Sequence, residues 1–158
     1  MKRLNAGNAR IDAVDAAILA ALAANARVTV SDLARSTGLS SPSTSERVKR
    51  LEEAGIIRGY HADIDPAAIG LTLAVHIRVR PMPGQVQKLA TLLGKLDAVV
   101  ECHRVTGDDC FIATAHVASV ADMEALIDKI IPLGTTNTSV IQSSPVARRM
   151  PAITKRES

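Results

Sequence analysis

Gly38–Tyr60 reads GLSSPSTSERVKRLEEAGIIRGY. Five small hydroxyl side chains (Ser40, Ser41, Ser43, Thr44 and Ser45) surround Pro42, and a basic run with Arg47, Lys49 and Arg50 follows at once. Ser41-Pro42 is a helix start: serine serves as cap, and proline stands at the first helical position, where its missing N–H has no helical partner anyway. From there Thr44, Val48 and Leu51 recur at helical spacing and make an inward stripe. That register leaves Ser43, Arg47 and Arg50 on one outer face, with Glu46 and Lys49 beside it. Gly55 ends the helix. Ile56–Ile64, rich in β-branched residues around Gly59, reads as a small hairpin or wing.

The residues before Gly38 hold two further helices. Asp12 can cap the first, with Asp15 in its opening turn, and Val14, Ile18 and Leu22 repeat every fourth position through Ala13–Ala24. Thr29 and Asp32 have capping-box spacing for a short second helix whose Leu33, Ala34 and Thr37 face inward. Gly38 closes that helix in the left-handed conformation that only glycine adopts without cost. Three helices and a wing make a winged helix-turn-helix over residues 1–64, and Asp65–Gly70 (DPAAIG) reads as a linker.

Beyond Gly70 the periodicity changes. Leu71–Arg80 alternates, with Leu71, Leu73, Val75, Ile77 and Val79 on one face and Thr72, Ala74, His76, Arg78 and Arg80 on the other, as in a half-buried strand. Val86, Leu89, Leu93 and Leu96 have helical spacing. Val99–Val105 and Cys110–Val117 flank the turn Thr106-Gly107-Asp108-Asp109 as a hairpin. Ser119 and Asp122 open a helix that turns Met123, Leu126, Ile127 and Ile130 inward, and Thr136–Ser143 makes the last strand. The order β-α-β-β-α-β is the ferredoxin-like split motif over residues 71–150. The polar tail, 151–158, is expected to fray. The fold class is therefore α+β.

The chain of 158 residues carries a formal charge of +3. Residues 1–60 hold nine Lys/Arg against six Asp/Glu, whereas residues 61–158 hold ten of each, so the whole excess lies in the helical part. A basic unit joined to a neutral one suggests a polyanion-binding half and a half with another task. The opening MKRLNAGNAR has no apolar run after its basic residues and is no signal peptide. The longest apolar stretch, Ala16–Ala24, is too short to span a bilayer. Cys102 and Cys110 make no disulfide framework, and the protein is expected in the cytoplasm, without a membrane partner.

Contacts to phosphate need Lys or Arg, and reading bases needs side chains that reach groove edges from a helix. Small residues at a helix start allow close approach of the backbone, and free N–H groups there donate to phosphate. Ser41, Ser43, Thr44, Arg47, Lys49 and Arg50 are accordingly the expected DNA-binding residues, although the inward stripe also claims Thr44. Tyr60 and Phe111 are the only aromatic residues. Binders of single strands or RNA usually need stacking platforms, whereas double-stranded DNA read by groove insertion does not, so double-stranded DNA is the expected partner.

The segments RIDAVDAAILAAL, ARVTVSDLARSTGLS and RVKRLEEAGIIRGY, followed by VVECHRVTGDDCFIATAHV and GTTNTSVIQSSPV, resemble the two domains of the Lrp/AsnC (feast/famine) transcriptional regulators. The likeness covers Arg10 to about Arg149. It implies a C-terminal effector (RAM) domain, a homodimer that assembles to a tetramer or octamer, and a small-molecule effector, typically an amino acid, without cofactor or metal. It also implies an effector site at the contact between dimers, made from Thr106, Gly107, Asp108 and Asp109 with Thr136 and Thr138. Backbone N–H, hydroxyl and carboxylate groups there match both ends of an α-amino acid. Where many relatives have a GDxDY pattern, this chain has GDDCF.

His76, His103 and His116 fall on one sheet face with Glu101 nearby. No close ligand pair exists among them, and in such a family this face meets the partner's sheet, so interface histidines are favoured over a metal site. Cys102 is expected to pack as a small hydrophobe. Two other functions share the architecture: a siroheme-decarboxylase-like enzyme, for which His103 and Arg104 are conceivable haem neighbours, and an architectural DNA-binding protein without effector.

Overall fold

The computed structural model describes residues 11–153. The first ten residues and the end of the polar tail, 154–158, lie outside the described residues. Contacts divide the chain into two compact units with the break after Ala62, and the described residues from Val146 onward group with the first.

The first unit is built on helices α1 (Ala13–Ala24), α2 (Val30–Thr37) and α3 (Ser41–Glu53). Asp12 caps α1 in a reciprocal box: its Oδ1 accepts the Asp15 N–H at 2.7 Å, and its own N–H donates to Asp15 Oδ2 at 3.3 Å. Thr29 caps α2 by accepting from the Asp32 N–H, and Gly38 ends it at φ 71°. The cap of α3 is Ser40 rather than Ser41, its Oγ accepting from the Ser43 N–H at 3.3 Å. Ser40 keeps the extended backbone a cap requires, and Ser41 and Pro42 already lie within the first turn. Ile18, Leu33 and Leu51 meet at the centre, with Val14, Leu22, Val28 and Val48 packed around them.

The expected wing hairpin does not form. No strand follows α3 before residue 73. Ile56 and Ile57 fold back instead, their N–H groups donating to the Leu51 carbonyl at 3.0 and 3.1 Å while their side chains join the three-helix core. A strand needs a ladder partner, and here the β-branched residues gain more by capping the core than by pairing with each other. Tyr60 tethers the segment to α3, donating its hydroxyl proton to Glu52 Oε1 at 2.7 Å.

Partial burial of the ring, followed by that hydrogen bond and the Glu52 charge, pushes the Tyr60 hydroxyl from 10.0 up to about 12. The folded value lies above the unfolded one. The tether's contribution to stability is therefore complete below pH 10 and is lost as pH rises toward 12. Tyr60 is the chain's only tyrosine and there is no tryptophan, so near-ultraviolet absorbance follows this single group. A titration midpoint near 12 is expected, and one near 10 would mean that the tether is open in solution.

The second unit is an antiparallel sheet of β1 (Leu73–Pro81), β2 (Val99–Arg104), β3 (Phe111–Val117) and β4 (Gly134–Val140), with α4 (Val86–Leu93) and α5 (Val120–Ile130). The strand order is β2-β3-β1-β4, as the split motif requires. Val75, Ile77 and Val79 of β1, the odd positions Phe111–Val117 of β3, and Leu89, Leu93, Leu126 and Ile130 of the helices form its core. The opposite sheet face is free of helices and carries His76, Arg78 and Arg80.

Two details differ from expectation. Strand β4 runs Gly134–Val140 rather than Thr136–Ser143: it stops at Val140, and it starts two residues earlier because Gly134 lets the chain approach β1 closely and pair with Pro81. Cys102 is exposed, and it is Cys110 that packs against the core.

Candidate functional site

Burial along α3 follows the periodicity. Thr44 and Leu51 are buried and Val48 half-buried, while Ser41, Ser43, Lys49 and Arg50 are exposed and Arg47 is half-buried. Thr44 does not belong to the outer face. It has no exposed surface, and its hydroxyl donates to the Ser40 carbonyl at 3.0 Å. Buried and hydrogen-bonded, it serves the helix and not a ligand. Ser43 shares its hydroxyl with Ser40 at 2.9 Å. Lys49 reaches Glu53 at only 3.8 Å and stays hydrated. Ser43, Glu46, Arg47, Lys49, Arg50 and Glu53 line an open, shallow hollow along the helix.

The two arginines are held from α1. Arg47 Nη1 donates to Asp12 Oδ2 at 2.7 Å and to Asp15 Oδ1 at 2.9 Å. Arg50 Nη2 donates to both carboxylate oxygens of Asp15 at 2.8 Å. The Asp15 side chain is 1% exposed, whereas those of Arg47 and Arg50 are 27% and 58% exposed. The Asp15 backbone N–H, followed by the Arg47 guanidinium, holds the Asp12 carboxyl below its usual range, and hydrogen bonds from Arg47 to Asp12 and Asp15 raise the guanidinium's own pKa. A capping reading of Asp12 and Asp15 did not reveal this second role. The available signal was an acidic pair ahead of an Ala-rich helix, with unpaired arginines three residues apart on another helix.

In the second unit, the turn Thr106-Gly107-Asp108-Asp109 closes with the Val105 N–H donating to the Cys110 carbonyl at 2.9 Å. Gly107 takes φ 108°, a conformation strained for any other residue. Arg80 reaches across from β1. Its Nε donates to the Asp108 carbonyl at 3.2 Å, and its Nη2 lies 3.3 Å from Asp108 Oδ2. Arg80 was not among the expected site residues, because alternation marked it only as a strand residue facing outward.

Thr136 and Thr138 pair with Val79 and Ile77, so they share the core-facing side of β4. The Thr138 hydroxyl is buried without a hydrogen-bond partner. A single chain thus does not bring the two threonines together with the turn: β1 runs between the strands that carry them.

His76, His103 and His116 do lie on the helix-free face by register, opposite Thr114, Ile112 and Ala74. His76 Nδ1 is 3.2 Å from Thr114 Oγ1, and His103 Nε2 is 3.0 Å from Glu101 Oε1. Among the described residues, no three His, Cys, Asp or Glu side chains converge as metal ligands, and no helix is long and apolar enough to cross a membrane.

Two family models match the chain, one after the other. Residues 11–58 match the family model of winged helix-turn-helix DNA-binding domains, and residues 72–151 match that of the Lrp/AsnC ligand binding domain. The chain is 34% identical over 124 residues to the HTH-type transcriptional regulator LrpA of Mycobacterium tuberculosis, covering 78% of this chain and 83% of that one. It is 35% identical over 132 residues to the leucine-responsive regulatory protein of Haemophilus influenzae, covering 82% and 76%. Among solved structures, the feast or famine regulatory protein of M. tuberculosis complexed with L-methionine superposes with a TM-score of 0.84 at 30% identity, covering 90% of this chain and 99% of that one.

Proposed function

The chain belongs to the Lrp/AsnC family of transcriptional regulators, and from that premise we propose how it binds DNA and what tunes the binding. It is a DNA-binding regulator, not an enzyme, as its relatives are named regulators. The outer face of α3 meets double-stranded DNA through Ser41, Ser43, Arg47, Lys49 and Arg50. The observation that carries this is that Ser41, Ser43, Lys49 and Arg50 are exposed and Arg47 half-exposed on one helix while Thr44, Val48 and Leu51 turn inward. Ser41 and the first-turn N–H groups suit phosphate, and Arg47 and Arg50 suit groove edges.

An amino acid, by analogy with the L-methionine complex of the M. tuberculosis relative, adjusts the binding from the second unit. Its site is the Thr106–Asp109 turn with Thr136 and Thr138 from another copy, which accounts for a single chain leaving these groups apart. Arg80, already at the turn, suits the carboxylate. Homodimers that pair through the helix-free sheet face and assemble to tetramers or octamers would supply the second copy, and the complex would act in the cytoplasm.

The test is fluorescence anisotropy on a duplex enriched from a random pool by the wild-type chain, with and without each amino acid. Arg47→Ala is expected to weaken binding by about 1–3 kcal/mol. Unchanged affinity together with an unchanged salt slope would remove Arg47 from the interface.

A further inference from the structure

We propose that Asp15, assisted by Asp12, is a positioning residue for DNA specificity: it clamps the Arg47 and Arg50 guanidinium groups side by side and keeps them from acting as free cations. The proposal rests on the reading of the α3 outer face as the DNA-contacting surface.

Arg47 and Arg50 stand three residues apart on α3, so their side chains are neighbours of like charge that repel each other. A carboxylate with 1% exposure lies between them and accepts from both, at 2.8–2.9 Å. Asp12 adds a second acceptor for Arg47 at 2.7 Å. Only one nitrogen of each guanidinium is used. A guanidinium has five N–H donors in a fixed fork. Nε and Nη2 of Arg47, and Nε and Nη1 of Arg50, have no protein partner among the described residues.

Gluing α1 to α3 does not explain this arrangement. Ile18, Leu33 and Leu51 already join the three helices, and a buried ion pair adds little beyond what apolar packing gives. Glue would also bury its cations, yet the Arg50 side chain is 58% exposed. The geometry fits a clamp: one edge of each fork is fixed to the protein and the others are offered to solvent.

Two consequences follow for recognition. The rotamers are set before DNA arrives, so less ordering is needed at a base edge. The two carboxylates also offset the two arginines, which lowers the sequence-independent attraction to phosphate. Both raise the ratio of specific to non-specific binding.

The experiment uses the full chain and two duplexes: one enriched from a random pool by the wild type, and a scrambled one of the same composition. Anisotropy titrations over a range of salt compare wild type, Asp15→Asn and Asp12→Asn. Asparagine keeps the shape, and at Asp12 it keeps the cap.

The enriched duplex is expected to lose about tenfold in affinity. The scrambled duplex should keep or gain affinity, with a log–log salt slope steeper by roughly 1 as a freed cation reaches phosphate. Equal losses on both duplexes, which a structural role alone would produce, overturn the proposal, as does an unchanged ratio. If Asp15→Asn does not fold, Asp12→Asn, altered at a half-exposed side chain, decides by the same ratio. Failure of the wild type to enrich any duplex overturns the DNA reading, and this inference with it.

Discussion

Ile18→Ala is expected to remove most of the stability of the helical unit while leaving the sheet unit intact. Helix α1 reads AVDAAILAALAA, and Ile18 is its only large apolar side chain that is fully buried. Its alanines favour the helix but supply little volume to a core whose fully buried members are otherwise Leu33 and Leu51. Removing the isoleucine leaves a cavity that three helices cannot close without separating, at a cost of about 3–4 kcal/mol. A domain this small has roughly 5 kcal/mol or little more to lose. The sheet unit has its own core and is unaffected. Urea denaturation followed by circular dichroism should therefore show an early helical transition and a second one at the wild-type midpoint, with DNA affinity weakened. A single transition at the wild-type position would contradict the assignment of two cores.

Gly134→Ala is the second large effect, and it falls on the other unit. At φ −177° the residue is in ordinary extended backbone, so glycine is not required there by conformation. Space requires it. A Cβ would stand 2.6 Å from the Arg80 carbonyl oxygen and 3.1 Å from Arg80 C and Pro81 Cα. These are backbone atoms of a paired strand and cannot swing aside. The start of β4 must separate from β1, opening the Pro81–Gly134 and Arg80–Thr135 pairs, at a cost of about 3 kcal/mol. Arg80 would shift with it, and so would its contacts to Asp108 in the proposed effector turn. Thermal unfolding should move strongly, and any amino-acid response in DNA binding should weaken. Gly94→Ala is the control. Its Cβ would meet the Ala90 carbonyl at an ordinary 3.5 Å, and it should be neutral or stabilise by up to about 1 kcal/mol.

What the sequence makes legible is whatever depends on neighbours in the chain. Asp12, Thr29, Gly38 and Ser119 mark helix ends because a cap satisfies backbone groups within three or four residues. Alternation in β1 and β3 and the Gly107 turn are equally local. The family likeness added the pairing of the two halves. The wing was misread because β-branched composition does not say whether a partner strand exists, and Ile56 and Ile57 had a nearer apolar surface. The cap of α3 slipped by one because Ser40 and Ser41 are chemically alike and only the backbone distinguishes them. The early start of β4 and the need for glycine at position 134 arise from contact with residues some fifty positions away. Asp15 was hidden for the same reason: its partners lie 32 and 35 positions along the chain. Thr44 shows the converse, since its inward register was already in the periodicity and the structure bears that out.

The order β2-β3-β1-β4 also sets a timetable. Every contact of the three helices is available once Glu53 has been made, but β1 acquires its second neighbour only with β4, whose residues stand 53 to 65 positions beyond their partners. At about 5–20 residues per second of synthesis, the end of β4 follows the end of α3 by roughly ten seconds. For that interval the nascent chain has its three helices, soon joined by Ile56, Ile57 and Tyr60, and a sheet in which one side of β1 is still open. Local contacts also close faster than distant ones. The helices that bear the arginines therefore assemble before the sheet that matches the ligand-binding model is closed.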